Sequence, residues 1–485
     1  MVSLTTDIWS SDVCPVSLIS LTAQWIDSSF TLQKVVLQAK KFRGSHTGEA
    51  IATATEEILN VWKVEKSRVH VILRDNASNM IKAMDRLGVA NVGCFAHTLQ
   101  LVVNEGLLSQ RNVSDTLAVG RKIVGHFKHS QLAYSRLQDI QEELNMPPKS
   151  LQQDVRTRWS SSYYMIQSLL AEKRALCAYT AEYELPATLT ATQWGLLEKT
   201  VQVLAPFEEF IWEVSSSSAS DVIPIVRVLK RLLSRPEEAD EGIRTMKGTL
   251  LEAVRRRFTH LETEPIYSVA TLLDPRYKDR YFSDADASRR GKDVLIAEVM
   301  KMEKVIRRTR AGASEPAEGT SSTSEPAEGT SSTSEPAEGT SSTSEPAEGT
   351  SSTSEPAQKT ARVEAASKSK LGNIFDEIME ESTPCPEPAT TSACVEVQTY
   401  FSEPTILRSD NPLLYWKVNQ PRLPSLAVTA AKFLCAPSTS VESERLLSTA
   451  SNIIDENRSR LTAEKAEMFI FLKKNLPLML QDKAV

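Results

Sequence analysis

The sequence predicts an α/β domain that runs on into a long all-helical region, and three observations carry that prediction. Residues 1–110 alternate short β-branched apolar runs with stretches of helical periodicity. Between about residues 165 and 310 apolar positions recur almost only at helical spacing. A ten-residue repeat, SEPAEGTSST, then separates these parts from a compact final segment.

The opening stretch VSLTTDIWSSD reads as a short strand ending on Asp7, with Trp9 two positions on and therefore on the same face. VSLISLTAQWID and FTLQKVVLQAKKF alternate well enough to be two antiparallel strands, joined through Asp27, Ser28 and Ser29. A helix follows in HTGEAIATATEEILNVW, with Thr47 as its N-cap. In RVHVILRDNASNM a buried strand delivers Asp75 at its end, just before Met80, Ile81, Met84 and Leu87 mark a helix. Strand ends of this kind are where α/β folds place chemistry, although Asp75 could equally cap the helix that follows. Two aspartates on strand ends are what divalent-metal phosphoryl chemistry uses, because hard cations prefer carboxylate oxygens. A third carboxylate is expected from Glu444 in TSVESERLLSTASNII, with Glu442 as the fallback.

NVGCFAHTLQLVV is a further strand-to-helix junction, with Cys94 and His97 three apart. As zinc ligands they lack a second pair nearby in sequence, so a buried small Cys and a helix-capping His are the plain expectation. Residues 113–150 read as helices whose basic positions suit a solvated face. In DVRTRWSSSYYMIQSLL, Arg158 and Trp159 begin a helix, where Arg can pair with phosphate and Trp can stack on a base. A buried Trp anchoring the helix is the alternative. WGLLEKTVQVLAPFEEFIWEV is the clearest amphipathic stretch of the helical region, and LLDPRYKDRYF breaks one helix before another. The repeat from Ser314 has no aliphatic residue larger than Ala and carries two glutamates per copy, so it predicts a disordered acidic tether. Across ~45 residues such a chain spans about 40 Å. A short helix is expected at SKLGNIFDEIME and a compact helical segment from Val395 onward.

The set TTDIWSS, RDNASNM, GCFAHTLQLVV, TRWSS, LDPRYK and NPLLYWKVN…STSVESERLLSTASNIIDENRSRL resembles the hAT superfamily of DNA transposases and its domesticated relatives, the zinc finger BED domain-containing proteins. The resemblance runs from Asp7 to about Leu476 in the family's order, and it is the set, not any one motif, that is specific. It implies a ribonuclease H-like, retroviral integrase-type catalytic core interrupted by an all-α insertion. The expected divisions are 1–164 for the first part of the core, 165–310 for the insertion, 311–394 for the disordered acidic linker, and 395–485 for the C-terminal dimerisation region that completes the core. It further implies Asp7, Asp75 and Glu444 as catalytic and metal-binding residues for Mg²⁺ or Mn²⁺. His97 is implied as a contact to the scissile phosphate, Arg158 as a DNA contact, and Trp9 and Trp159 as holders of a base taken out of the stack. Nuclear localisation and self-association through the C-terminal segment follow from the same likeness. Where the family usually has Phe, Leu447 keeps an apolar residue, so only local repacking is expected. Family members carry a BED zinc finger and an oligomerising helical segment upstream of the first strand. Since the sequence starts almost on that strand, a fragment, an incorrect gene model or a shortened derivative is expected.

Composition limits the reading. With 62 acidic against 56 basic residues the net charge is −6, so any DNA contact must use local patches. The 6 cysteines are scattered without the spacing of a disulfide framework, which suits a reducing compartment. No apolar run is long enough to span a bilayer. Two functions remain: a DDE-type, metal-dependent strand-cleaving and strand-transferring core that dimerises, or a domesticated, catalytically inactive dimerising protein acting in chromatin or transcription. The acidic repeat favours the second, because a polyanionic tether beside a DNA channel competes with phosphate.

Overall fold

The computed structural model describes residues 1–10, 17–155, 158–214, 218–236, 243–312, 370–381, 392–453 and 463–481. The SEPAEGTSST repeat lies outside the described residues. The chain opens with strands β1 (Val2–Ser10), β2 (Ser17–Ile26) and β3 (Leu32–Phe42), then helix α1 (Gly48–Val61). Next come β4 (Val69–Arg74), α2 (Ser78–Leu87), β5 (Asn91–Gly93) and α3 (Phe95–Val103). This is the strand and helix order expected from the alternation of apolar runs. Thr47 caps α1 by accepting from the Ala50 N–H at 3.2 Å, and Gly88 closes α2 at a φ of 70°, where a side chain would be strained.

The five strands form one sheet in the order β3-β2-β1-β4-β5. The β1–β2 and β2–β3 pairs are antiparallel, whereas β1–β4 and β4–β5 are parallel. One face of the sheet carries Leu4, Ile19, Leu21 and Ile72 against Ile51, Ile58, Met80 and Met84 of α1 and α2. The opposite face receives α3 and, from the far end of the chain, the last helices.

The helical part contains α4 (Arg111–His129), α5 (Gln131–Glu143), α6 (Trp159–Ala171), α7 (Lys173–Glu182) and α8 (Ala191–Val214). It continues through α9 (Val222–Ser234), α10 (Arg244–Arg257), α11 (Pro265–Leu273) and α12 (Ala285–Gly312). Helix α6 crosses residues 164 and 165 without a break, so the expected junction there falls inside a helix. One buried apolar cluster runs from Val71, Leu73 and Val92 of the sheet through Leu99, Ile166, Phe207 and Leu272 to Phe433. Sheet and helices therefore share a continuous core.

The remaining helices are α13 (Lys370–Glu381), α14 (Ser392–Ser402), α15 (Pro412–Asn419), α16 (Pro424–Leu434), α17 (Val441–Ile453) and α18 (Ala463–Gln481). α13 is the short helix expected at SKLGNIFDEIME. Its Leu371, Ile374, Phe375 and Ile378 are buried, and Tyr281 donates to the Phe375 carbonyl at 3.0 Å.

The LDPRYK motif fastens the helical part to this final segment. Asp274 is 0% exposed and accepts from Arg276 Nη2 at 2.7 Å and from Ser220 Oγ at 2.7 Å. Arg276 also pairs with Asp221 at 3.0 Å, and Tyr277 donates to Asp221 at 2.7 Å. Lys278 donates to the Glu403 carbonyl at 2.6 Å, the Ile406 N–H donates to the Pro275 carbonyl at 3.0 Å, and Trp416 Nε1 donates to the Leu273 carbonyl at 2.9 Å. A buried aspartate, arginine and aspartate are tolerated because each charge is paired. A cavity of about 740 Å³ opens beside Asp221, Arg276 and Arg408, and no candidate site residue lines it.

α18 lies along the outer strand. The Asn475 amide donates to the Val36 carbonyl at 2.8 Å and accepts from its N–H at 3.0 Å, while Glu467 accepts from the Lys41 N–H. These contacts occupy backbone groups that an edge strand would otherwise offer to another chain. Ile470 enters a small buried cluster with Leu18, Val36, Ala39, Leu446 and Leu447, so Leu447 is a core residue as expected.

Candidate active site

The register of the sheet builds the site. Ser3 pairs with Val71 and Thr5 with Leu73 across the parallel β1–β4 ladder. Two residues on from this last pair stand Asp7, still within β1 and on the same face as Thr5, and Asp75, just past the end of β4. That face of β1 meets the C-terminal segment residue by residue. Ser3 Oγ lies 3.1 Å from Cys435 Sγ, Thr5 Oγ1 lies 2.6 Å from Ser443 Oγ, and Trp9 packs against the cluster holding Leu446 and Leu447. Glu444, next to Ser443, thereby falls beside Asp7.

A stitched loop fixes this placement. The Ala219 N–H donates to the Ala436 carbonyl at 2.8 Å and Gln24 Nε2 to the Cys435 carbonyl at 2.6 Å. The Phe95 N–H at the start of α3 donates to the Ser438 carbonyl at 3.1 Å, and the Ser440 N–H donates to Cys94 Sγ at 3.2 Å. The first turn of α17 is therefore held against the first turn of α3. His97 Nδ1 lies 3.9 Å from Glu444 Oε1, and Ser440 Oγ stands 3.5 Å from the first and 3.3 Å from the second.

The RDNA stretch serves two purposes. Asp75 Oδ1 accepts from the Ala77 N–H at 3.1 Å, so it shapes the turn into α2 as well as facing the site. Asn76 Nδ2 donates to Thr98 Oγ1 at 3.0 Å, tying the end of β4 to α3. Gly93 makes that possible, since a Cβ there would stand 2.2 Å from Asn76 Oδ1.

The charges act on one another. Burial pushes the Asp7 carboxyl from its ordinary 3.8 up to about 7, and the carboxylates of Glu444 and Asp75 push it the same way, against His97 and the Ile8 N–H. His97 is pushed up to about 9, chiefly by its hydrogen bond to Cys94 and against burial, with the carboxylates of Glu444 and Asp7 adding to the rise. Carboxylates whose charges disfavour that of Asp7 are the oxygen donors a hard divalent cation takes, and the cation would offset that repulsion. Glu442 is engaged elsewhere, 4.0 Å from Lys34 and 3.7 Å from Arg445.

Three further residues differ in what they can offer. Arg158 is exposed at the start of α6. Trp9 is half-buried. Trp159 corrects the expectation of a base-stacking platform: it is 2% exposed, its ring lies edge-on to Tyr163 and Phe207, and its backbone N–H donates to Gln100 Oε1 at 2.8 Å. The ring is buried in the helical core, so the indole packs α6 against α8 while the backbone N–H ties the start of α6 to α3. Cys94 and His97 differ from expectation in another way. Among the described residues, the one set of three or more His, Cys, Asp or Glu with ligand atoms all within 4.8 Å of one another is Cys94, His97 and Glu444.

A parallel-and-antiparallel sheet with one carboxylate within β1 and another just past the end of the neighbouring β4, closed by a helix from the far end of the chain, defines an α/β protein with a polar site beside its interior strands. Comparison with known proteins narrows the class. Residues 5–91 match the ZBED1 RNase-like domain, 92–203 the ZBED1 RNase-like helical domain, and 396–476 the hAT family C-terminal dimerisation region. The chain is 28% identical over 494 residues to zinc finger BED domain-containing protein 4 of Homo sapiens, covering 99% of this chain and 38% of that protein. It is 28% identical over 441 residues to zinc finger BED domain-containing protein 6 of Mus musculus, covering 84% of this chain and 40% of that protein. A putative AC transposase of Zea mays is 28% identical over 190 residues, or 36% of this chain and 23% of that protein. The chain belongs to the hAT transposase-derived BED zinc finger protein family. It spans about 40% of the length of the first two relatives.

Proposed function

We propose that the chain is the ribonuclease H-like core of a dimerising, nuclear, hAT-derived protein, with a DDE-type site for metal-dependent DNA strand cleavage and transfer. The observation that supports this most is that Glu444, in the first turn of α17, and Asp75, just past β4, both lie close enough to Asp7 for their carboxylates to raise its carboxyl. Asp7, Asp75 and Glu444 would hold Mg²⁺ or Mn²⁺. The bound ion supplies Lewis-acid polarisation of phosphoryl oxygens and lowers the pKa of an attacking water. His97, at the first turn of α3, donates from its ring to a phosphate oxygen, and the helix N-terminus favours the same anion. Arg158 adds a phosphate contact at the α6 start, so DNA is held by local positive groups on an otherwise acidic chain. In supercoiled plasmid with Mn²⁺, the full chain is expected to produce nicked circles, and Glu444→Gln to abolish them while retaining its fold by circular dichroism. Equal nicking by the variant would refute the assignment.

A second reading, a dimerising regulatory protein without cleavage, has one observation in its favour. Similarity to zinc finger BED domain-containing proteins 4 and 6 covers 84% to 99% of the chain, whereas that to the maize transposase covers 36%. Absence of nicking by wild-type protein under all metal conditions selects this reading.

Self-association belongs to both. Met468 is 63% exposed and Phe469 56% exposed on α18, with Leu472 and Leu476 also outward and Phe471 stacked on Trp62. The side chains of Leu478, Met479 and Leu480 lie outside the described residues. Exposed apolar groups on a helix that already covers a sheet edge are the surface a second copy buries. By light scattering at micromolar concentration the wild-type chain is expected above monomer mass, and Met468→Asp with Phe469→Asp at monomer mass with unchanged helicity. A double variant of unchanged mass would place the interface elsewhere.

A further inference from the structure

The Cys94, His97 and Glu444 cluster has a donor chemistry that hard-cation catalysis does not call for. We propose that these three side chains form a binding site for a single borderline-soft divalent cation, with Zn²⁺ as its occupant, that competes with the carboxylate site for Glu444. All three ligand atoms lie within 4.8 Å of one another. A tetrahedral zinc, with bonds of about 2.3 Å to sulfur and about 2.0 to 2.2 Å to nitrogen and oxygen, places its ligands roughly 3.3 to 3.8 Å apart. Contraction by at most about 1.5 Å, within the reach of side-chain rotation, therefore completes the site.

Softness separates this ion from Mg²⁺. A thiolate ligand selects zinc-like ions, whereas carboxylates and water suit Mg²⁺. Cys94 is fully buried at the N-cap of α3, and the Ser440 N–H already donates to its sulfur at 3.2 Å. Ser440 Oγ sits within 3.5 Å of both His97 Nδ1 and Glu444 Oε1, placed to orient the other two ligands. The side chains of His97 and Glu444 are 35% and 30% exposed, which gives the ion an entry path and leaves a fourth position to water. Drawing Glu444 onto this ion removes it from Asp7. Occupancy would thus switch off hard-cation binding at the neighbouring carboxylates.

The proposal shares Glu444 with the proposed function but concerns binding alone, and it stands whether or not the chain cleaves DNA. The test uses the full chain stripped with a chelator and titrated with Co²⁺, whose thiolate-to-metal charge-transfer absorption reports a sulfur ligand. Saturation at one ion per chain with that band, reversed by Zn²⁺, is the expected result. Cys94→Ser is expected to lose the band although Cys14, Cys177, Cys385, Cys394 and Cys435 remain. Glu444→Gln, at a partly exposed position that leaves packing intact, is expected to keep the band and bind about tenfold or more weakly. The glutamine variant decides the matter if the serine variant fails to fold. No band in the wild type, a band that persists in Cys94→Ser, or equal affinity in Glu444→Gln would each overturn the proposal. Failure of the carboxylate site is scored separately by Asp7→Asn and Asp75→Asn, which remove no ligand of this ion.

Discussion

Replacing Arg276 by alanine is expected to cost the fold about 3 to 5 kcal/mol, read as a lower urea midpoint at unchanged slope. The guanidinium is the shared partner of Asp274 and Asp221, at 2.7 and 3.0 Å. Burial works against its charge, but the two carboxylates beside it hold it firmly protonated. Its loss leaves Asp274 with only the Ser220 hydroxyl and the backbone N–H of residue 276, and Asp221 with the Tyr277 hydroxyl and its turn. Arg276→Lys keeps the charge and loses the two-pronged geometry, so it should fall between the wild type and alanine. Because Pro275 and Lys278 reach across to the Ile406 N–H and the Glu403 carbonyl, the C-terminal segment should loosen with the helical part. Amide hydrogen exchange in α15 and α16 checks that. Protection unchanged in Arg276→Ala would show that the motif is not the fastener described above.

Asp7→Asn should stabilise the metal-free protein, and do so increasingly as pH rises. Its carboxyl titrates at about 7 in the fold against 3.8 in the unfolded chain, so between those values the folded state holds a proton the unfolded state has released. Stability contributed by this group is complete below about pH 4 and is lost as pH rises through about 7. At ~1.4 kcal/mol per unit, and allowing for the partial exposure of the site, the gain in the variant should reach about 2 to 4 kcal/mol at pH 8. His70 must be separated from this. Buried in β4 beside Phe433, it is pushed from 6.5 down to about 3, chiefly by burial and then by Lys432, so its contribution is lost as pH falls below 6.5. The two slopes oppose each other between roughly pH 4 and 6.5, leaving the wild type nearly flat there and the variant rising. The difference between wild type and variant, measured by urea unfolding at several pH values, removes the His70 part. A difference independent of pH would mean that Asp7 does not titrate in this range.

How much of this was legible in the sequence depends on the distance over which each feature is made. Asp75 could be read at a strand end because the switch from alternation to helical spacing is local, whereas the strand expected to end on Asp7 runs on to Ser10, since its pairing with β2 continues past that residue. Glu444 could not be reached that way. Its placement rests on the Phe95 to Ser438 and Ser440 to Cys94 contacts, between segments that no local pattern relates. The same contacts explain why Cys94 and His97 read as an incomplete ligand pair, since their third partner comes with α17. Trp159 was ambiguous because a Trp at a helix start looks alike whether a base or Phe207 covers it. The apolar surplus near the C-terminus was visible, but only the docking of Asn475 and Glu467 on β3 sorts Ile470 inward and Phe469 outward.

That Asp7, Asp75 and Glu444 act together as one hard-cation site is tested most directly by titrating the full chain with Mn²⁺ and following the free ion by electron paramagnetic resonance. Saturable binding competed by Mg²⁺ is expected for the wild type. Each of Asp7→Asn, Asp75→Asn and Glu444→Gln should weaken it about tenfold or more, while Glu442→Gln, whose carboxylate faces Lys34 and Arg445, should not. Binding that survives Asp75→Asn or Glu444→Gln at full strength would contradict a shared site.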